Sequence, residues 1–268
     1  MNRVTAILVA AALLLLPASS AADTPPATLL PGTLTVGLNM PSPGFEVGSV
    51  RGHSVFFARG FEIDLARLIA ARLGIRHVAF YQEAQFPRLI AGGPKPWDIA
   101  LGEITITDAR AAQLDFSVPY LDADEGVLLR RGVTPAPTTI AQLAGLQLCT
   151  QRATTAVDVI ASQVEPVRPP RLFGNVTLLV NALQSKRCDA VVYDAPILAT
   201  LRAQVPQRYG PLVGVLATGE HYGVAMPQGS PLEGAVNAAV SALIARSRIT
   251  TLTMRWLATD VSELPVLR

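Results

Sequence analysis

Cysteine is scarce in this chain of 268 residues: Cys149 and Cys188 are the only 2. Histidine is almost as rare. His53, His77 and His221 show no metal-ligand spacing, which argues against a transition-metal site. No Gly-x-Ser-x-Gly elbow, His-Glu-x-x-His pair or phosphate loop occurs, so three common catalytic chemistries have no support in the sequence. Formal net charge is only +2, with lysine and arginine scattered; the dense basic stripe of a nucleic-acid binder is missing. No long charged or low-complexity block interrupts the chain. With 50% apolar residues, it should bury a core.

What is present begins with an unusual leader. Asn2-Arg3 is followed by the uncharged apolar run Val4 to Leu16 and the small residues of Pro17 to Ala22. This reads as a secretory signal peptide over 1–22, too short for a membrane span. An uncleaved anchor is the alternative. No cysteine follows the run to carry a lipid, so a soluble exported product is expected. In an exported chain, Cys149 and Cys188 suggest a disulfide worth roughly 4 kcal/mol by chain entropy; two buried thiols are the alternative.

The rest alternates strand and helix. Leu34–Leu38 alternates as a strand, and a Pro- and Gly-rich loop follows over 41–60. Phe61–Leu73 reads as a helix with one apolar face, stopped by Gly74. Val78–Tyr81 and Asp98–Leu101 read as strands around a short helix at Pro87–Ala91. The pattern repeats after residue 140. Helices are expected at 139–143, 155–163, 176–184 and 195–204, with strands at 146–150 and 189–193. Ser230-Pro231-Leu232-Glu233 looks like a capping box before a long helix, and 248–257 is one more helix. This order implies an α/β fold with parallel sheets. Two such units imply two lobes with a small-molecule cleft between them.

Three stretches carry chemistry. Gly102-Glu103-Ile104-Thr105-Ile106-Thr107-Asp108-Ala109-Arg110 and Ala153-Thr154-Thr155-Ala156-Val157-Asp158 each put hydroxyls at a helix start. Helix starts offer unpaired N–H groups to an anion, and Arg110 adds a fork that fits a carboxylate. Cys188 to Pro196 is an apolar strand ending on one carboxylate, Asp194. Two anion sites and one carboxylate suit a zwitterion such as a free amino acid.

These stretches resemble the extracellular solute-binding proteins of the polar amino-acid class, the receptors of ABC importers. Gly60-Phe61-Glu62-Ile63-Asp64-Leu65 is similar to that family's Gly-Phe-Asp-x-Asp-Leu run. Trp97 to Arg110 is similar to its strand followed by Thr-x-Thr-x-x-Arg, and Asp115 to Tyr120 to its Asp-Phe-Ser-x-Pro-Tyr run. Asp189 to Pro196 matches Asp-Ala-Val-x-x-Asp, and Glu220 to Ala225 resembles the return through a second hinge. The resemblance covers nearly all of the chain after the leader. It implies two Rossmann-like lobes of the type II periplasmic binding protein kind, joined by two hinge strands. Lobe 1 would hold 32–120 and 222–268, and lobe 2 would hold 121–221. The hinge crossings would lie near 119–123 and 218–222.

The resemblance also assigns roles. Arg110 would hold the ligand carboxylate, with Thr105, Thr154 and Thr155 adding contacts. Asp194 would receive the ammonium. Helix N-caps are the structural alternative for Thr154, Thr155 and Asp194, and Thr107 reads as an N-cap. Ala153 stands where the family usually has glycine. Glu103 stands where the family offers a backbone carbonyl to the ammonium. Its side chain is a departure that either favours a ligand with a second positive group or points into solvent. Phe86 would stack on the ligand side chain, with a core role as the alternative. Asn39 and Ser42 stand where relatives place a second aromatic.

The implied function is a periplasmic receptor that delivers an amino acid or close analogue to an inner-membrane ABC permease. It would work as a monomer, without cofactor, metal or nucleic acid. One rival is a periplasmic dehydratase of the prephenate or arogenate type, for which Glu103 and Glu125 are candidate general acids. Another is a sensory or accessory binding protein.

Overall fold

A computed structural model describes residues 25–257 and 261–268. The expected signal peptide, 1–22, lies outside them. The first run of strands is β1 (Thr33–Leu38), β2 (Val47–Arg51), β3 (Ser54–Arg59), β4 (His77–Gln82), β5 (Ile99–Ala100) and β6 (Leu114–Phe116). The second is β7 (Leu121–Asp122), β8 (Glu125–Leu129), β9 (Leu148–Gln151), β10 (Arg171–Phe173), β11 (Ala190–Asp194) and β12 (Leu212–Leu216). The chain then returns through β13 (His221–Tyr222) and β14 (Ala225–Pro227). Seven strands form one sheet in the order β2-β3-β4-β1-β5-β14-β6, and five form another, β10-β9-β11-β8-β12. Between them, β7 pairs antiparallel with β13, Tyr222 opposite Leu121 and His221 opposite Asp122. The molecule is thus a two-lobed α/β protein.

The helices are α1 (Phe61–Arg72), α2 (Phe86–Ile90), α3 (Asp108–Ala111), α4 (Ile140–Leu143), α5 (Ala156–Val159), α6 (Val176–Gln184), α7 (Ala195–Gln204), α8 (Glu233–Ala245) and α9 (Arg248–Trp256). Strand β1 lies between β4 and β5, parallel to both, and is buried beyond its first residue. That explains its apolar character: a strand covered on both faces has no solvent side to keep polar. Helix α1 packs Phe61, Ile63, Leu65 and Ile69 against it. Gly60 starts that helix at φ 137, and a Cβ there would strike the Phe45 carbonyl, so only glycine fits. In the second sheet β11 is buried along its whole length and parallel to β9. Its carboxyl end therefore delivers Asp194 to the edge facing the other lobe, where open α/β sheets place ligands.

Cys149 on β9 and Cys188 just before β11 form a disulfide, with Cα atoms 5.9 Å apart. Both are buried, so the bridge ties two parallel strands of lobe 2 from inside the core.

Several sequence expectations are corrected. The stretch 41–60 holds the hairpin β2–β3, turned at Gly52 with φ 59; its density of proline and glycine hides the strands. Strand β5 is only Ile99–Ala100, and the Asp98 carboxylate just before it accepts from the Leu29 and Thr35 N–H groups, each at 2.7 Å. Helix α5 opens after Val159 into a π-turn, Ile160–Val164, and stops at Glu165 in the left-handed region. Ser230 does not cap α8. Its hydroxyl accepts from Leu232 N–H in a turn, and the helix starts at Glu233. The sequence places all of 222–268 in lobe 1, whereas the final segment crosses back. Val266 pairs with Val215 of β12, and Leu267 is buried in the lobe 2 core.

Candidate functional site

Arg110 sits on the four-residue helix α3, capped by Thr107, whose hydroxyl accepts from Arg110 N–H at 3.2 Å. A helix this short has little dipole, so anion affinity here rests on the guanidinium rather than on the helix start. That guanidinium is buried. It donates to the Thr105 carbonyl at 2.7 Å and, across the lobe boundary, to the Ala153 carbonyl at 3.4 Å. The Phe86 ring lies beneath it at 5.5 Å. Phe86 is itself packed with Leu89, Trp97 and Ile104, so it supports Arg110 from the core. Burial pulls the Arg110 pKa down, and Asp194 and Glu220 pull it back up. A cleft of about 550 Å³ opens beside it, between Thr107 and Ala109 of lobe 1 and Ala153, Thr154, Thr155 and Asp158 of lobe 2.

Asp194 faces this region from the end of β11. It does not cap α7; its Oδ2 accepts a short hydrogen bond from the Tyr222 hydroxyl. Burial raises its pKa to about 6, against the Tyr222 bond, which lowers it. Strand β13 thus carries a direct contact to the carboxylate at the end of β11.

Neither threonine of the second turn caps α5 with its side chain. Thr154 turns its hydroxyl back to the Gln151 carbonyl at 2.8 Å. Thr155 donates to Glu220 at 2.7 Å and approaches Glu125 at 3.4 Å. Ala153 adopts φ 63, the left-handed region, and presents its carbonyl to Arg110. The preference for glycine at this position follows from that backbone. Glu125 is fully buried on β8, opposite Asp194 in the register, and burial with the neighbouring Asp194 and Glu220 pushes its carboxyl well up.

Glu103 points inward, away from solvent. Its backbone sits at φ 52, and its N–H donates to Glu62 Oε1 at 3.0 Å. Glu62 also accepts from Tyr120. The carboxyls of Glu46, Glu62 and Glu103 lie within 4.8 Å of one another, the one grouping among the described residues compact enough to hold a cation. Burial is the largest cause raising all three. Asn39 donates its backbone N–H to Glu46 at 3.2 Å and its side-chain amide to the Glu83 carbonyl at 2.6 Å. Ser42 is buried beside Glu103.

The structure therefore brings Arg110, Thr105, Phe86, Ala153 and Thr155 together around one boundary, with Asp194 within electrostatic range. Asn39, Ser42 and Glu103 form a second group with Glu46 and Glu62. The partners missed by sequence reasoning are Tyr222, Glu220, Glu46 and Tyr120. Glu220 and Tyr222 lie within the Glu220–Ala225 stretch, but nothing local says which carboxylate or hydroxyl they meet.

A family profile described as bacterial extracellular solute-binding proteins, family 3, matches residues 34–259. The chain belongs to this family. It is 25% identical over 234 residues to the L-cystine-binding protein TcyJ of Escherichia coli, covering 87% of this chain and 85% of that protein. Among solved structures it is similar to an ancestral arginine-binding protein bound to glutamine: TM-score 0.74, 28% identity, 86% of this chain and 100% of the other. An ancestral amino acid-binding protein described as a precursor of cyclohexadienyl dehydratase matches with TM-score 0.72 and 25% identity, over 84% and 95%. As a family 3 member the chain has the two-lobed binding-protein architecture, and its relatives are named for what they bind rather than for a reaction.

Proposed function

We propose that this chain is a periplasmic receptor that closes its two lobes on an amino acid or close analogue and hands it to an ABC permease. One observation carries the reading: a buried guanidinium from lobe 1 and a buried carboxylate from lobe 2, Arg110 and Asp194, face the same boundary. Their opposite charges suit a zwitterion, carboxylate to Arg110 and ammonium to Asp194. Thr105 and Thr155 flank them, and Phe86 backs the guanidinium. Ligand contacts from both lobes favour the closed form, which is all that capture and release require. Export through the leader, monomeric action and hinge crossings beside β7 and β13 belong to the same reading.

A dehydratase-type enzyme is the second reading, favoured by Glu125: a buried carboxyl beside Asp194, held toward its acid form and with Oε2 unpaired. Calorimetric titration separates the two. The refolded protein should bind one of the common amino acids at micromolar level or tighter and ignore its decarboxylated analogue. Silence across the whole panel, with turnover of prephenate or arogenate, would contradict the receptor reading.

A further inference from the structure

The chain passes between the lobe of the seven-stranded sheet and that of the five-stranded sheet three times. The first passage runs from Phe116 of β6 to Glu125 of β8, and the second from Leu216 of β12 to Ala225 of β14. These two lie side by side, because β7 and β13 pair within them. The third leaves α9 and arrives at Val266, beside β12. Its far anchorage stands beyond residue 259, where the match to the family stops.

Both ends of the third passage are fixed. On the first side α9 packs against α1 and α8, and Leu252 and Leu257 are buried. The Trp256 indole N–H donates to Asp64 of α1 at 2.9 Å. On the second side, Val215 N–H donates to the Pro265 carbonyl and Leu267 N–H to the Val215 carbonyl, each at 2.9 Å. Ile140 N–H donates to the Arg268 carbonyl at 3.1 Å. Leu267 is buried in the core with Val127, Leu129 and Leu216. Strand β12 is shaped for this segment: a Cβ on Gly214 would stand 2.4 Å from the Pro265 carbonyl oxygen. The link between the two sides is short. The turn Val261–Glu263 already packs against α7, and the peptide steps from Leu257 to Val261 reach about 14 Å at most.

The link also lies off the line of the other two passages. Strand β13 sits between β7 and Thr105, which it meets at Tyr222. Beyond β7, Leu121 and Asp122 face Leu257 and Val266 across a pocket of about 330 Å³. The paired strands therefore have the Thr105 segment on one side and the third link on the other. A two-stranded ribbon alone can bend and twist. A short link anchored to one side of it opposes the twist and limits the bend.

We propose that Val261–Arg268 is a tether that narrows the range of orientations the two lobes sample in the ligand-free protein. Closure then has fewer orientations to lose, which lowers its ordering cost. A purely structural role, covering the edge of β12 and filling the core with Leu267, makes a different prediction. It needs the contacts at Val215 and Leu267 but not the short link.

The test separates the link from the contacts. An eight-residue Gly-Ser insertion after Leu257 keeps the contacts of Leu267 and adds roughly 15 Å of reach. Gly214→Ala keeps the length and dislodges Pro265. Spin labels are attached through Arg88→Cys with Gln163→Cys, and in a second pair through Arg72→Cys with Thr177→Cys, exposed positions on opposite lobes. Pulsed electron double resonance is recorded on protein refolded without ligand, and circular dichroism checks the fold. The expected result is a distance distribution that broadens by several ångströms in at least one pair, in the insertion variant and in Gly214→Ala alike. Distributions in a folded insertion variant that match the parent chain in both pairs overturn the tether. If that result comes with lowered urea stability in Gly214→Ala, the structural role alone remains. If one variant does not fold, the width in the other decides.

Discussion

Asp194 is where chemistry and pH meet. Its pKa is raised to about 6, chiefly by burial. A ligand ammonium needs the ionised carboxylate, so proton and ligand compete for it. Amino-acid affinity should hold above that value and fall as pH drops through it, approaching tenfold per unit well below. Calorimetry between pH 7.5 and 5 checks this, and a flat profile would remove Asp194 from the ammonium site. Arg110 and Asp194 can be picked out of the sequence because each belongs to a short local pattern: an arginine in a first helical turn, and a carboxylate ending an apolar strand. The Tyr222–Asp194 and Thr155–Glu220 contacts cannot, since they join residues 28 and 65 positions apart. Only the folded chain, by bringing Glu220 and β13 against the 153–155 turn and the end of β11, creates them.

At the scale of elements, burial explains which ones could be read. Strand β1 and helix α1 announce themselves because the core dictates their apolar residues. The hairpin β2–β3 does not: most of it is exposed, Phe57 among the most exposed large side chains at 85%, so no buried face imposes an alternation. The Cys149–Cys188 bridge links β9 to the start of β11 across 39 positions. Removing it with Cys149→Ala and Cys188→Ala together should cost roughly 4 kcal/mol, the loop-closure value for a ring of about forty residues. Urea unfolding of the double variant measures it. A loss under about 1 kcal/mol would mean that the parallel pairing of β9 and β11 already fixes the lobe without the bridge.

At the scale of the whole molecule, five buried acids set the response to pH. Glu46, Glu62, Glu103, Glu125 and Asp194 are all raised, with burial the first cause in each. Above the ordinary carboxylate range the folded chain thus holds more protons than the unfolded chain does. Stability must then fall as pH rises through that window and grow as pH drops from 8 toward 5.5. Asp189 acts the other way, but it is lowered from 3.8 and so works beneath the window. Ligand-free protein should melt a few degrees higher at pH 5.5 than at pH 8 in differential scanning calorimetry. The reverse order would show that these acids are paired with cations in the free protein. The two lobes themselves could be inferred from repeated strand–helix order, whereas the return of Val261–Arg268 to lobe 2 could not. It depends on one bridge, Val215 to Val266, and on burial of Leu267.

In the proposed function, capture depends on Arg110 holding the ligand carboxylate at the lobe boundary. The most direct measurement is calorimetric titration of Arg110→Ala with the amino acid that the wild-type protein binds, alongside circular dichroism to check the fold. Truncating one side of a buried charge pair costs about 2–5 kcal/mol, so affinity should fall by about a hundredfold or more with the spectrum unchanged. Binding retained within a few-fold in a folded variant would contradict this role for Arg110 and move the carboxylate site elsewhere.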